Sequence, residues 1–143
     1  MPHNQPPRFA IGGVLYRCRT DGQVEILLIK KQGGSWTLPK GQIEANEPAQ
    51  AALEREMVEE VALRGTVEAL LSTVTYSIIK RGHLRPKVVQ YYLIHVPRGT
   101  PHPNRREGIR QARWFVAPVA LQRVQKDRVQ EIIEQAILHL NHQ

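Results

Sequence analysis

The sequence predicts an α/β fold in which helices pack on the faces of a mixed β-sheet. The predicted elements follow the order β-β-α-β-β-β-α, which interleaves two helices with five strands. The first helix has an apolar residue at every fourth position, and the C-terminal segment has an apolar spacing close to 3.6 residues. With 143 residues, the chain has the length of one domain with its own core.

Five strands and three connections are predicted from residue patterns. The strands cover residues 9–17, 24–31, 66–80, 87–96 and 111–116, with a further short extended segment at 36–39. Gly12 and Gly13 interrupt the first strand, which marks a bulge or a close approach to its backbone. A turn at 20–23, a basic loop at 81–86 and an irregular loop at 97–108 connect the strands. Residues 1–7 are expected to form a disordered tail before one domain at 8–143.

Both predicted helices have an apolar face. Residues 46–48, Asn-Glu-Pro, provide a capping residue, an acid and a proline for the start of the first helix, which is expected to run to about residue 61. Leu53, Met57 and Val61 form its buried stripe. The C-terminal helix is amphipathic, with apolar residues at 129, 132, 133, 136, 137 and 140.

Composition excludes several classes of protein. No run of 18 apolar residues exists, and the polar, proline-rich start lacks the apolar run of a signal peptide. The single cysteine, Cys18, rules out a disulfide framework and a cysteine-based zinc site. We therefore expect a cytoplasmic protein with no membrane partner, as a monomer or a homodimer.

Charge is distributed unevenly along the chain. The net charge is +7, but residues 41–63 contain six Glu and one Arg, which leaves +12 on the other residues. An acidic cluster in a basic protein suggests that cations bind at the cluster and a polyanion binds around it. The alternative is a solvated acidic helix on a protein whose basic surface only aids solubility.

Three carboxylates share one face of the first helix. At about 100° per residue, Glu56, Glu59 and Glu60 fall within an arc of roughly 100°. Like charges at this spacing repel and weaken a helix, and bound Mg²⁺ or Mn²⁺ would relieve the repulsion because these ions prefer carboxylate oxygens. Arg55 lies at the edge of this face, where a salt bridge to Glu47 would tie the preceding loop to the helix.

The same segment resembles the Nudix box. Gly41, five residues, Glu47, seven residues, Arg-Glu-Met at 55–57 and Glu-Glu at 59–60 reproduce its spacing. One position departs from the pattern, because Ala62 stands where the box usually has glycine. Every carboxylate position of the pattern is filled.

The resemblance implies an α/β/α sandwich and a reaction. Nudix hydrolases cleave a nucleoside diphosphate linked to another group, with Mg²⁺ or Mn²⁺ as the cofactor. By this resemblance Glu56 and Glu60 are metal ligands, Glu59 is a ligand or the general base, and Glu47 and Arg55 are structural. Metal ions held by carboxylates neutralise phosphate charge and activate water, which phosphoanhydride cleavage requires.

The resemblance also suggests further metal ligands. The backbone carbonyl of Lys40 or Gly41 would face the metal. A late loop often supplies another carboxylate in this family, and Glu107 is the candidate in that region. A surface ion pair with Arg105 or Arg106 is the alternative for Glu107.

Two other segments bear on the substrate. Residues 36–41, Trp-Thr-Leu-Pro-Lys-Gly, and residues 85–93, Arg-Pro-Lys-Val-Val-Gln-Tyr-Tyr-Leu, resemble segments of the asymmetric diadenosine tetraphosphate hydrolases. This resemblance implies cleavage of diadenosine tetraphosphate to ATP and AMP. House-cleaning (deoxy)nucleoside triphosphate hydrolysis and RNA 5′-end pyrophosphohydrolysis are alternatives, and a non-catalytic domain that binds nucleotide or, less favoured, nucleic acid is an alternative of another class.

Basic and aromatic residues near these segments are candidates for binding the nucleotide substrate. Lys40 and Lys87 would contact phosphates as point charges. Tyr91, or with less support Tyr76, would stack on adenine, and a core position is the alternative for Tyr91. Four basic residues near the 81–86 loop would neutralise a long polyphosphate, with a merely solvated role as the alternative for each. They are Lys80, Arg81, His83 and Arg85.

Overall fold

A seven-stranded mixed sheet forms the centre of the protein in this computed structural model, which describes residues 6–142. The strands are β1 (Arg8–Cys18), β2 (Val24–Lys31), β3 (Trp36–Thr37), β4 (Lys40–Gln42), β5 (Thr66–Lys80), β6 (His83–His95) and β7 (Ile109–Val116). Their order is β3-β2-β1-β6-β5, with β4 also beside β1 and β7 also beside β2. The β1–β6 pair is parallel and the other described pairs are antiparallel, so the predicted mixed sheet is confirmed.

Helices cover both faces of this sheet. They are α1 (Ala49–Val61), α2 (Ala117–Arg123) and α3 (Asp127–Asn141). Successive side chains of β1 point to opposite faces, so Ile11 and Leu15 pack in the core with α1, whereas Val14 and Tyr16 pack in the core with α2 and α3. The predicted α/β/α sandwich is therefore confirmed.

The predicted apolar faces of the helices are buried. Leu53, Met57 and Val61 of α1 are at most 3 % exposed. On α3 the buried residues are Val129, Ile132, Ile133 and Ala136, and Ile137 and Leu140 pack beside them in partly buried positions. Both periodic patterns thus predicted the correct face.

The predicted start of α1 was wrong in its details. Pro48 occupies the N-cap position without a side-chain cap, and the first turn contains no acidic residue. Asn46 instead adopts a left-handed conformation, with φ of 63°. Glu47 lies before the helix because Arg55 of α1 binds its carboxylate, so a salt bridge organises this end instead of a capping side chain.

The 81–86 loop was also predicted wrongly. Strands β5 and β6 remain paired as far as Lys80 and His83, so only Arg81 and Gly82 form the turn. Both turn residues have positive φ, 53° and 78°, as two-residue hairpin turns require when they match the twist of the strands. The elements β4 and α2 were not predicted, because three and seven residues are too short to show a periodic pattern.

The strand β1 changes partners along its length, and this change positions the site. Its residues 16–18 pair with β2, whereas residues 10–12 pair with β4. Beyond its pairing with β1, the same edge of β2 pairs with β3 at residues 29–30, while β7 pairs with the other edge of β2 along nearly its whole length. The strands β1 and β2 therefore separate, and β4 enters the gap directly below α1.

The N-terminal prediction is only partly covered by the described residues. Of the tail predicted at 1–7, residues 1–5 lie outside the described range. Residues 6 and 7 precede β1 without regular structure, and the carbonyl oxygen of Pro6 accepts a hydrogen bond from Arg85 Nε at 2.9 Å. Between residues 6 and 142, no helix combines the length and apolar character needed to span a bilayer.

Candidate active site

A cleft of about 370 Å³ opens where β1 and β2 separate. Four carboxylates from α1 and from the 3₁₀ helix Arg105–Glu107 line it together with three lysines from β2, β4 and β6. The lining residues are Ala10, Lys31, Lys40, Gly41, Gln42, Glu56, Glu59, Glu60, Lys87 and Glu107. The cleft therefore brings together seven residues that the sequence analysis singled out, and it adds Lys31 and Gln42, for which no motif gave a signal.

The backbone of Gly41 packs directly on the carboxylate of Glu56. A Cβ atom at position 41 would lie 1.9 Å from both Cδ and Oε2 of Glu56, so the contact requires glycine. Burial of Glu56 raises the pKa of its carboxyl group, and hydrogen bonding from Arg55 opposes this shift. The glycine of the motif thus makes room for a carboxylate on the neighbouring helix.

Glu60 is the one charged residue that is buried among residues 6–142, with 5 % of its surface exposed. Its Oε1 accepts a hydrogen bond from the backbone N of Lys40 at 2.9 Å. Burial raises the pKa of Glu60 to about 7, and the charge of Lys31 opposes the rise. A carboxylate in such a position is costly unless a cation compensates it.

Arg55 connects the loop before α1 to the carboxylates of the helix. Its Nε and Nη2 donate to Oε2 and Oε1 of Glu47 at 2.8 and 2.9 Å, and Nη2 also donates to the carbonyl of Gln42 at 3.0 Å. Its Nη1 donates to Glu56 Oε1 at 2.9 Å and to Glu59 Oε2 at 3.2 Å. Hydrogen bonds from Arg55 hold the pKa of Glu47 below its usual value. The salt bridge expected between Arg55 and Glu47 is present.

Glu107 reaches the cleft because its loop is fixed to the C-terminal end of α1. Asn104 donates from Nδ2 to the carbonyl of Glu59 at 2.8 Å and from its backbone N to the carbonyl of Glu60 at 3.0 Å. Within the described part of the chain, Glu107 forms no salt bridge with a neighbouring arginine. Asn104 was not identified from the sequence, because its role depends on a contact across 45 residues.

The cleft fits a hard divalent cation by its donor atoms, although its side chains are not arranged around one. Among residues 6–142, no three His, Cys, Asp or Glu side chains are grouped as a metal site. Arg55 contacts both Glu56 and Glu59, and the Lys40 amide contacts Glu60, so protein donors occupy these oxygens. Carboxylate oxygens are the ligands that Mg²⁺ and Mn²⁺ prefer, and within residues 6–142 the buried Glu60 carboxyl forms no salt bridge. Coordination through Glu56 Oε1 or Glu59 Oε2 would therefore require that side chain to rotate away from Arg55.

A cluster of cations surrounds Tyr76 at one end of the cleft. Lys40 Nζ donates to the hydroxyl oxygen of Tyr76 at 3.2 Å, and Lys87 lies opposite Tyr76 in the β5–β6 register. The guanidinium of Arg128, from α3, lies 4.4 Å from the centroid of the Tyr76 ring. Burial and then the charge of Arg128 lower the pKa of Lys40 to about 8. Arg128 carried no sequence signal, because only tertiary folding brings α3 to β5.

The structure separates two other predicted substrate residues from this cluster. Tyr91 is 4 % exposed and packs in the core against Gly12, where a Cβ would lie 2.5 Å from its ring. Its ring has no open face for stacking on a base, which matches the alternative core interpretation and corrects the stacking role. His83 lies at the tip of the hairpin with Lys80 and Arg81, about 13 Å along β6 from Lys87 at ~3.3 Å per residue.

Comparison with known proteins places the chain in a family. The sequence profile described as NUDIX domain matches residues 6–135. This chain belongs to the Nudix family.

Two curated relatives cover different shares of the chain. Nudix hydrolase 21, chloroplastic, of Arabidopsis thaliana is 30 % identical over 136 residues, which are 89 % of this chain and 65 % of that protein. A MutT4 protein of Mycobacterium tuberculosis is 38 % identical over 77 residues, 52 % of this chain and 31 % of that protein. The chain thus spans less than two thirds of either relative.

Solved structures share the fold. An Ap4A hydrolase of C. elegans, in a binary complex, has a TM-score of 0.77 at 21 % identity, with 95 % of this chain and 99 % of that chain covered. The NUDIX domain of NrtR from Shewanella oneidensis, complexed with ADP ribose, has a TM-score of 0.78 at 20 % identity, with 95 % and 90 % covered. A MutT NUDIX hydrolase of Burkholderia pseudomallei has a TM-score of 0.68 at 27 % identity, with 92 % and 98 % covered.

Proposed function

We propose that this chain hydrolyses a phosphoanhydride bond in a nucleoside diphosphate linked to another group, with Mg²⁺ or Mn²⁺ as the cofactor. The observation that carries the proposal is that four carboxylates and three lysines line one cleft. Phosphoryl transfer depends on neutralising phosphate charge and on positioning the attacking water, and this donor set suits both tasks. Family membership supports the same reaction class.

The residues that would hold the cation are those of the acidic half of the cleft. Glu56 and Glu60 are the first candidates, with Glu59, Glu107 and the carbonyl of Gly41 as further donors. When bound, the cation supplies positive charge for the phosphates and acidifies water.

The other groups of the cleft act on the substrate and on the proton. Lys31, Lys40 and Lys87 bind phosphate oxygens as positive charges. Glu59 has a side chain that is 48 % exposed, against 13 % for Glu56, so its Oε atoms are the more accessible proton acceptors for an attacking water. Arg55 is a positioning residue, because its Nη1 binds the carboxylates of both Glu56 and Glu59.

We further propose that the substrate is diadenosine tetraphosphate, which would be cleaved to ATP and AMP. The two segments that resemble the asymmetric diadenosine tetraphosphate hydrolases contribute Lys40, Gly41 and Lys87 to the cleft. The half-buried ring of Tyr76 lies beside Lys40 and is better placed than Tyr91 to contact a base. The fold shared with an Ap4A hydrolase of C. elegans is consistent with this assignment.

A substrate panel tests this assignment directly. The protein is incubated with Mg²⁺ and equal concentrations of diadenosine tetraphosphate, deoxynucleoside triphosphates and a 5′-triphosphate oligoribonucleotide, and the products are separated by chromatography. We expect ATP and AMP from the dinucleotide at the highest kcat/KM. A preference for a mononucleotide or for the RNA would overturn the dinucleotide assignment, and binding of nucleotide without any turnover would favour the non-catalytic alternative.

A further inference from the structure

A second groove, whose charged lining residues are all basic, adjoins the cleft on the side of β7. Its volume is about 580 Å³, and it is lined by Lys30, Lys31, Gly33, Gly34, Arg105, Arg110 and Gln111. Lys31 lines both this groove and the cleft, so the two adjoin at this residue. Among residues 6–142, no acidic side chain contributes to the lining of the groove.

The one-turn 3₁₀ helix separates the charges of the two sites. Glu107 lines the cleft, whereas Arg105, two residues earlier, lines the basic groove. The helix is held in place from both sides, since Asn104 is bonded to α1 and the carbonyl of Gly108 accepts from the backbone N of Gln32 at 3.0 Å. The anchored 3₁₀ helix thus fixes Glu107 on the side of the cleft and Arg105 on the side of the basic groove.

Backbone geometry also presents the remaining cations to the groove. In the β2–β7 ladder, Lys30 pairs with Gln111 and Lys31 pairs with Ile109, so Arg110 is the extra residue of a β-bulge. A bulge re-aims the side chains around it. A Cβ atom added at Gly33 would meet nothing within 4 Å, so the space beside this lining residue is open. In the described range, neither lysine and neither arginine of the groove forms a salt bridge.

We propose that this basic groove binds phosphate groups of the substrate that lie beyond the cleaved anhydride, on the opposite side of Lys31 from Lys40 and Lys87. This inference rests on the proposed phosphoanhydride hydrolysis and narrows its substrate to molecules with at least one further phosphate beyond the two that share the reacting bond. Four cations that form no salt bridge within residues 6–142 suit an extended polyphosphate better than a single phosphate. The substrate therefore crosses the cleft instead of ending in it.

The direct test is a binding experiment that does not require turnover. The ¹⁵N-labelled full chain is titrated with inorganic tripolyphosphate in EDTA, and amide shifts are followed by NMR. We expect saturable shifts at Gly33, Gly34 and Gln111. The double variant Lys30→Gln/Arg110→Gln should bind tripolyphosphate about tenfold more weakly, a loss that higher salt reproduces in the wild type. Shifts confined to the region of Gly41, or unchanged affinity in the variant, would contradict the proposal that the basic groove binds phosphate.

A kinetic measurement links the groove to the reaction. The same double variant should raise the KM for diadenosine tetraphosphate about tenfold, whereas Arg98→Gln, which removes an exposed arginine outside both sites, should leave KM unchanged. Thermal unfolding of both variants checks that they are folded. An unchanged KM in the double variant contradicts a role of the groove in substrate binding. Failure of the wild type to hydrolyse any substrate contradicts the proposed function instead. In that case the NMR titration still tests whether the groove binds phosphate.

Discussion

The backbone of Gly41 and the carboxylate of Glu56 occupy adjoining space that no other residue at position 41 would leave free. A Cβ atom there would lie 1.9 Å from the Glu56 carboxyl carbon. The obstacle is the end of a flexible side chain, so the helix itself need not move. The contact therefore constrains where the carboxylate lies more than it constrains the fold.

Gly41→Ala should accordingly damage activity more than stability. We expect kcat/KM to fall by at least about tenfold, because displaced carboxylates lose the geometry that catalysis requires. The midpoint of thermal unfolding should change by only a few degrees, about the effect of 1 kcal/mol in a domain of this size. Parallel activity and unfolding measurements check this, and a collapse of stability with retained specific activity would contradict it.

The burial of Glu60 makes a prediction about stability in the absence of metal. Glu60→Gln removes a charge that is 5 % exposed but keeps an oxygen to accept from the Lys40 amide. Because an uncompensated buried charge is costly, the variant should unfold at a higher temperature than the wild type in EDTA. It should also lose the stabilisation that added Mg²⁺ gives the wild type, since a ligand that binds only the folded state raises its stability.

Glu54→Gln provides the matched control for this experiment. Glu54 lies on the same helix but is exposed, and its side chain interacts with Gln50 on the helix surface. The control should behave like the wild type with and without Mg²⁺. If Glu60→Gln retains the full Mg²⁺-induced shift, Glu60 is not a metal ligand.

Those parts of the site that lie within one stretch of sequence could be predicted, and those assembled from distant elements could not. Helix periodicity alone places Glu56, Glu59 and Glu60 on one face, and α1 presents all three to the cleft. Lys31 and Arg128 join the site from β2 and α3, so their roles depend on contacts that no local pattern encodes.

The same limit explains the errors in the tyrosines and the hairpin. Strand alternation puts Tyr91 and Tyr92 on opposite faces, as the structure has them, but it could not indicate that the ring of Tyr91 would be buried in the core. Basic residues and Pro86 favoured a loop at 81–86, yet pairing with β5 extends the strand through them. Tertiary pairing overrode local propensity there.

Glu59→Gln tests the assignment of the proton acceptor. The substitution keeps the shape of the side chain and its contact with Arg55 but removes the basic oxygen. We expect kcat to fall by at least about a hundredfold, the usual scale for loss of a general base. Steady-state rates with Mg²⁺ measure this effect, with Glu54→Gln as the control. A rate close to that of the wild type would show that a group other than Glu59 accepts the proton of the attacking water.

The departure from the Nudix pattern at Ala62 leads to a prediction about stability alone. Ala62 ends α1 in the left-handed region, with φ of 61° and ψ of 34°, and its backbone N donates to the carbonyl of Val58 at 3.0 Å. This is the conformation that glycine adopts at helix ends at little steric cost. A residue with a Cβ is destabilised by about 1–2 kcal/mol in this conformation. Ala62 therefore forms the same left-handed turn that glycine would form, but with steric strain.

Ala62→Gly should therefore stabilise the protein, whereas Ala51→Gly, earlier in α1, should not. Relief of the left-handed strain should stabilise the folded state by about 1–2 kcal/mol, and glycine stabilises the unfolded chain by only about 0.4–1 kcal/mol through its added conformational entropy. We therefore expect the free energy of unfolding to increase by roughly 0.5–1 kcal/mol. Ala51→Gly changes an exposed alanine inside α1 and should destabilise by about 1 kcal/mol. Urea unfolding measures both changes. Equal losses in the two variants would show that the left-handed conformation at residue 62 carries no strain that glycine can relieve.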